Sequence, residues 1–317
     1  MTEYAIRIKK VNKRFGSTHA VRDLDLDVPT GSLCGFLGPN GAGKSTTIRM
    51  IMSIIYPDSG SIDVLGSSAM NNKDRIGYLP EERGIYRKMK VGDFLVYLAK
   101  LKGVSGPNLR NQVAEWLERI DLPEVINKKC EELSKGMQQK VQFLAAIIHD
   151  PDLIILDEPF SGLDPVNAEL INHLVREMNE AGKTIIFSTH ILHQAELLCD
   201  RIFLINKGVK LLDATLDEIN EKFNPRTLLV EPLNGQANFT DIQGVIGMRP
   251  MPDSAAFEIE LQEQADPQQV MQQILQSGPM RSVALRRLTL DEVFIQQVKV
   301  GGGDEAAALA REELSHV

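Results

Sequence analysis

Residues 38–45 read GPNGAGKS, and they stand between a short apolar run, SLCGFL (residues 32–37), and a segment with helical apolar spacing, TTIRMIMSII. No other feature constrains the chain more. The spacing G-x-x-x-x-G-K-S, with a strand before it and a helix after it, is the pattern of a phosphate-cradling loop. Glycines let such a loop curl so that successive backbone N–H groups point inward at phosphate oxygens. The following helix adds the positive end of its dipole. Lys44 is placed to reach the β- and γ-phosphates as a point charge, and the Ser45 hydroxyl to ligand Mg²⁺. The plain alternative is a glycine-rich turn that binds nothing, and the flanking strand and helix weigh against it.

The surrounding pattern extends that strand into a sheet. Residues 4–28 alternate apolar and polar (Tyr4, Ile6, Ile8, then Val21, Leu24, Leu26, Val28) around a turn at Gly16-Ser17, as half-buried antiparallel strands do. Between about Val91 and His149 the texture changes to helix, in VGDFLVYLAKLKG, NLRNQVAEWLERI and SKGMQQKVQFLAAIIH. Strand texture returns in LIILDEP, TIIFSTH and RIFLINKG, with helical stretches between. Alternating strands and helices imply a mostly parallel sheet covered on both faces, into which the helix-only block is inserted.

Near Phe223-Asn224-Pro225-Arg226 the pattern restarts. TLLVEP, FEIEL, DPQQVMQQILQ and SVALRRLTL then predict a small α+β domain. The expected division is residues 1–224 with a helical subdomain at about 85–150, then residues 225–299, then a flexible acidic tail at 300–317 made of a three-glycine linker and a loose acidic helix. The chain has 317 residues and a formal charge of −8, which argues against a general nucleic-acid binder. Three widely spaced cysteines without a CxxC pair argue against a disulfide framework or zinc site and fit a reducing cytoplasm. Charges interrupt every apolar run near the N-terminus, so neither a signal peptide nor a membrane span is expected.

LIILDEP ends four apolar residues in two acids, at the strand end where α/β ligands bind. Asp157 is placed to hold Mg²⁺ directly or through water. Glu158 is placed to polarise a water attacking the γ-phosphate, as general base. His190 ends another apolar strand, TIIFST, where it can contact the γ-phosphate and order Glu158 and the water. The plain alternatives are solvated acids and an exposed imidazole.

One more segment, Leu133-Ser134-Lys135-Gly136-Met137, lies shortly before Asp157, and Ser161-Gly162-Leu163-Asp164 follows it. With these the chain resembles the ATP-binding-cassette (ABC) ATPases over roughly residues 1–222, because the order of all five motifs is that family's order. The resemblance implies an α/β fold: a P-loop NTPase core with an antiparallel β subdomain and a helical insertion, here followed by the small α+β C-terminal domain. It implies that Phe15 stacks on adenine and that Gly38, Pro39, Asn40, Gly41, Ala42, Gly43, Lys44, Ser45 and Thr46 cradle the phosphates. It also implies that Ser134 and Gly136 bind the γ-phosphate of ATP held by an opposite protomer in a head-to-tail dimer. Asp164 is then expected to communicate between the two sites.

Two departures stand out. The usual LSGGQ is LSKGM, with Lys135 and Met137 replacing glycine and glutamine. Glu81, in GYLPEE, stands where a glutamine normally meets Mg²⁺ and the transmembrane partner. YLPEERG, LSKGMQQKVQF and LTLDEVF look like the ATPase subunits of ABC-2-type exporters, including sodium-extrusion and drug-export proteins. That likeness implies an ATPase on the inner face of the cell membrane, energising a separate permease that docks near Glu81, Tyr86 and Phe94. The competing class is a non-transport ABC protein of DNA repair or translation, which would bring a long coiled coil or a second cassette.

Overall fold

The computed structural model describes residues 3–315, apart from 83, 224–225, 235–237 and 252–253. Strands β1 (Tyr4–Phe15) and β2 (Thr18–Pro29) form an antiparallel pair that turns at Gly16. Their alternation buries Ile6, Ile8, Val11, Val21, Leu24, Leu26 and Val28 on one face. Strand β3 (Leu33–Leu37) has no alternation because all five of its residues are buried. Helix α1 (Lys44–Ile51) follows directly, and β4 (Ser59–Val64) returns to pair with β1.

After β5 (Ile76–Leu79) come the helices α2 (Val91–Leu101), α3 (Leu109–Arg119) and α4 (Lys135–Ile147). The α3 C-terminus is capped from inside: Lys140, 4% exposed on α4, donates through Nζ to the Ile120 carbonyl at 2.8 Å. Strand β6 (Leu153–Asp157), α5 (Pro165–Glu180), β7 (Thr184–Thr189), α6 (Leu192–Leu198), β8 (Arg201–Asn206) and β9 (Val209–Thr215) complete the alternation.

The larger sheet has the order β5-β6-β7-β3-β8-β9, parallel throughout except for the antiparallel edge strand β9. One core joins it to the three-stranded sheet: Ile8, Leu24, Ile48, Ile155 and Phe203 belong to the same buried cluster. Each such side chain contributes about 1.5–3 kcal/mol by leaving water. The parallel register decides where the chemistry lies. Leu37 pairs with Thr189, and Asp157 with Ser188, so β3, β6 and β7 all end at one rim. Residues 38–45, 157–158 and 190 leave the sheet there.

Helix α7 (Leu216–Lys222) leads into β10 (Thr227–Pro232), β11 (Val245–Pro250), β12 (Phe257–Leu261), α8 (Pro267–Ser277) and β13 (Met280–Leu285). These four strands form an antiparallel sheet in the order β11-β12-β10-β13, whose core of Leu228, Val230, Phe239 and Ile259 is closed by Val270 and Ile274 of α8. The chain divides into Met1–Leu216 with Phe294–Val317, and Asp217–Val293. The division thus falls eight residues before the 224/225 break read from the sequence. Helix α9 (Leu290–Ser315) occupies most of the expected tail, interrupted at Gly303, where φ is +77°. An alanine- and glutamate-rich run is a strong helix former, and glycine admits the break.

Candidate active site

Two glycines shape the loop after β3. Gly38 has φ +153°, and a Cβ there would lie 2.1 Å from the Ile205 carbonyl oxygen. Gly43 has φ +106°, and its Cβ would lie 2.5 Å from the Ala20 carbonyl oxygen. Neither position admits a side chain. Lys44, 6% exposed, folds back over the loop and donates through Nζ to Gly38 O at 2.6 Å and Pro39 O at 3.2 Å. Burial lowers its pKa, opposed by the nearby carboxylates of Glu158, Asp157 and Glu81.

Residues 40–46 line a cavity of about 660 Å³, together with Glu81 and Glu158. Asp157 lies beneath, 2% exposed at the end of β6, and its Oδ1 accepts a hydrogen bond from Ser188 Oγ. Glu158 has φ +51°, a left-handed conformation uncommon outside glycine, and its N–H donates to Ser188 O at 3.1 Å. Its Oε1 accepts from the His190 backbone N–H at 3.1 Å and lies 2.7 Å from His190 Nδ1. Thr189 Oγ1 stands 3.3 Å from the other carboxylate oxygen.

The rim therefore gathers residues 38–46, Glu81, Asp157, Glu158 and His190, although His190 reaches the cavity only through Glu158. Phe15, Ser134, Gly136 and Asp164 do not line it. Phe15, 51% exposed at the end of β1, has Lys13 Nζ 5.5 Å from its ring centroid. Ser134 caps α4, its Oγ accepting from Met137 N–H at 3.3 Å. A Cβ on Gly136 would touch Gly162 O at 3.6 Å, so the α4 N-terminus packs on the SGLD turn. Asp164 caps α5, and the Asn167 backbone N–H (2.9 Å) and side-chain amide (2.6 Å) hold its carboxyl below the usual range.

Three basic side chains of the cavity wall carry no motif: His19, Arg22 and Lys207. His19 Nε2 is 3.0 Å from Asn12 Oδ1, and burial followed by the cations Arg14 and Arg22 lowers its pKa. The sequence marks this flank only as the turn at Gly16-Ser17 and the strand-like run RIFLINKG.

A buried parallel sheet with a phosphate loop, two acids and a histidine on one rim defines a P-loop nucleotide-binding α/β protein. Residues 21–161 match the family described as ABC transporter, and residues 215–298 match the C-terminal domain of DrrA1-3-like ATP-binding proteins. The uncharacterized ABC transporter ATP-binding protein YhaQ of Bacillus subtilis (strain 168) is 39% identical over 92% of this chain and 98% of its own length. The daunorubicin/doxorubicin resistance ATP-binding protein DrrA of Streptomyces peucetius is 31% identical over 98% of this chain and 97% of its own length. A solved ATP-binding subunit of an ABC transporter superposes with a TM-score of 0.65 at 30% identity, covering 69% of this chain and 93% of that one.

The chain belongs to the ABC transporter ATP-binding proteins. It is an ATP-binding ATPase subunit of an ABC transporter, and such subunits work with a transmembrane permease. Among the described residues no helix is long and apolar enough to cross a membrane. The repair or translation reading finds no support. The relatives are transporter subunits, and the inserted block holds the eleven-residue helices α2 and α3 rather than a coiled coil.

Proposed function

We propose that two copies of the nucleotide-binding unit, in the same or a paired subunit, close head to tail on two ATP molecules and that Glu158 is the general base. The observation that carries this reading is the double contact of His190 on one Glu158 oxygen at the wall of the cavity that holds Lys44. A carboxylate so held keeps its orientation toward a water in line with the γ-phosphate. Residues 38–46 take the phosphates, with Lys44 leaving its loop carbonyls for the β- and γ-oxygens. Phe15 takes the adenine from beside the cavity. Ser134 and Gly136, outside this cavity, serve the triphosphate held by the partner, and Asp164 links the two sites.

The donor set fits Mg²⁺. Among the described residues no three His, Cys, Asp or Glu side chains form a complete cage. Ser45, Asp157 and Glu81 offer hard oxygens at the rim, and Mg²⁺ binds through one or two carboxylates plus substrate phosphates. It would supply charge neutralisation between the phosphate oxygens.

The permease docks, in this reading, on the face beyond Glu81. A cavity of about 420 Å³ there is lined by Met52, Tyr78, Phe94, Leu98 and Leu101, and Tyr86 stands edge-on to Phe94 and Tyr97. An exposed apolar patch of this kind marks a partner surface. The subunit then sits on the inner face of the cell membrane, and the DrrA-like C-terminal domain favours export as the direction.

Mixing two inactive variants tests the head-to-tail arrangement. Lys44→Ala breaks the phosphate loop and Ser134→Arg breaks the signature, yet a mixed dimer retains one intact composite site. Hydrolysis recovered on mixing supports the proposal. A mixture no more active than its separate components contradicts it.

A further inference from the structure

Residues 158–163 make two successive turns: Ser161 N–H donates to Glu158 O at 3.2 Å, and Leu163 N–H to Phe160 O at 3.1 Å. The central peptide of the first turn, between Pro159 and Phe160, carries a carbonyl that neither turn uses. That carbonyl belongs to the residue bonded to Glu158, so a hydrogen bond to it restrains the turn in which Glu158 stands first. The His190 contacts hold the Glu158 carboxylate and do not involve this peptide. Phe160 anchors one side of the turn by edge-on packing against Phe187, with ring centroids 5.9 Å apart.

The carbonyl itself is held from α4. Gln139, 4% exposed, donates through Nε2 to Pro159 O at 3.0 Å. A buried amide in the middle of a helix is otherwise unfavourable, and this bond satisfies one of its donors. Gln139 does not line the nucleotide cavity. It lies on the helix whose Gly136 faces the far end of the same turns at Gly162 and Leu163.

We propose that Gln139 is a positioning residue for hydrolysis: by holding the Pro159 carbonyl it fixes the turn that aims Glu158. The inference rests on the reading of Glu158 as general base. Gln139 touches no substrate, so its loss lowers turnover and leaves ATP affinity in place. Displacing a catalytic group by about 1 Å costs on the order of a hundredfold in rate.

Two variants of the full chain test it, with kcat, KM and the ATP dissociation constant measured across pH. Gln139→Met keeps the volume and removes the donor, and its kcat falls by about ten- to a hundredfold with ATP affinity unchanged. Gln139→Glu has the same shape, and burial beside a carbonyl raises the pKa of the new carboxyl. Protonated, that carboxyl donates to Pro159 O, so the activity of Gln139→Glu approaches wild type at low pH and falls as pH rises through that pKa. The parent protein lacks this step.

Turnover in Gln139→Met within about twofold of the parent overturns the proposal, as does a parallel loss of ATP affinity. Should Gln139→Met fail to fold, the pH profile of Gln139→Glu decides, and a profile of parental shape overturns the proposal. Glu158→Gln measured alongside separates the two readings. Undiminished hydrolysis in that variant removes the role of Glu158 and this proposal with it. Lost hydrolysis there, combined with intact turnover in Gln139→Met, removes this proposal alone.

Discussion

His190 approaches Glu158 twice on the same oxygen: its backbone N–H at 3.1 Å and its Nδ1 at 2.7 Å both meet Glu158 Oε1. An ionised carboxylate only accepts, so Nδ1 is the donor of that bond, and the other ring nitrogen, Nε2, takes no part in it. The imidazole therefore restrains the carboxylate and keeps a second nitrogen available at the rim.

Replacing His190 by alanine removes the ring contact and leaves the backbone one. Turnover is expected to fall by about a hundredfold or more, while ATP still binds. Steady-state hydrolysis paired with equilibrium nucleotide binding checks this. An equal loss in both quantities would assign His190 to binding instead.

Gly38→Ala places a methyl group 2.1 Å from Ile205 O at φ +153°. The variant is expected to lose at least about 2 kcal/mol of stability, read from the urea midpoint, together with ATP binding. Gly41→Ala is a useful contrast, since no atom lies within 4 Å of its added Cβ, although its φ of +77° still strains it.

His149 gives the fold a dependence on pH. Burial, followed by the charge of Lys102, lowers its pKa from 6.5 to about 4, and Nε2 lies 3.1 Å from Ile76 O. The unfolded chain binds the proton more readily, so stability is fully present above pH 6.5 and declines as pH falls toward 4. His149→Gln keeps a donor for Ile76 and is expected to flatten that part of the curve. Urea midpoints measured at several pH values decide it, and an unchanged slope would assign the decline to other groups.

Cys34, Cys130 and Cys199 are buried. Burial pushes the Cys34 thiol up to about 12 and raises the other two, so little thiolate exists near neutrality. A disulfide-exchange reagent is expected to leave all three untouched in the native protein and to modify all three after denaturation. Rapid modification of a native thiol would contradict their burial.

The rim was legible where chemistry is local in sequence. Gly38 to Ser45 and the run ending in Asp157-Glu158 each carry loop shape, strand burial and function within a few consecutive residues. What joins distant segments was not. Arg22 and Lys207 meet at the cavity because the β2 strand and the turn after β8 converge there, with Arg22 N–H donating to Gly208 O at 2.8 Å. Gln139 meets Pro159 across 20 residues, and its helical spacing gives no sign of that bond. The tail shows local signals in competition: three glycines pointed to a linker, while the alanine- and glutamate-rich run after them carries the helix to Ser315.

The most direct measurement follows Glu158→Gln with Mg·ATP, recording phosphate release and sedimentation of the same sample. The expected result is no turnover together with an ATP-dependent shift from monomer to dimer, because nucleotide binds and closes the sandwich but cannot be hydrolysed. Undiminished phosphate release would contradict the account.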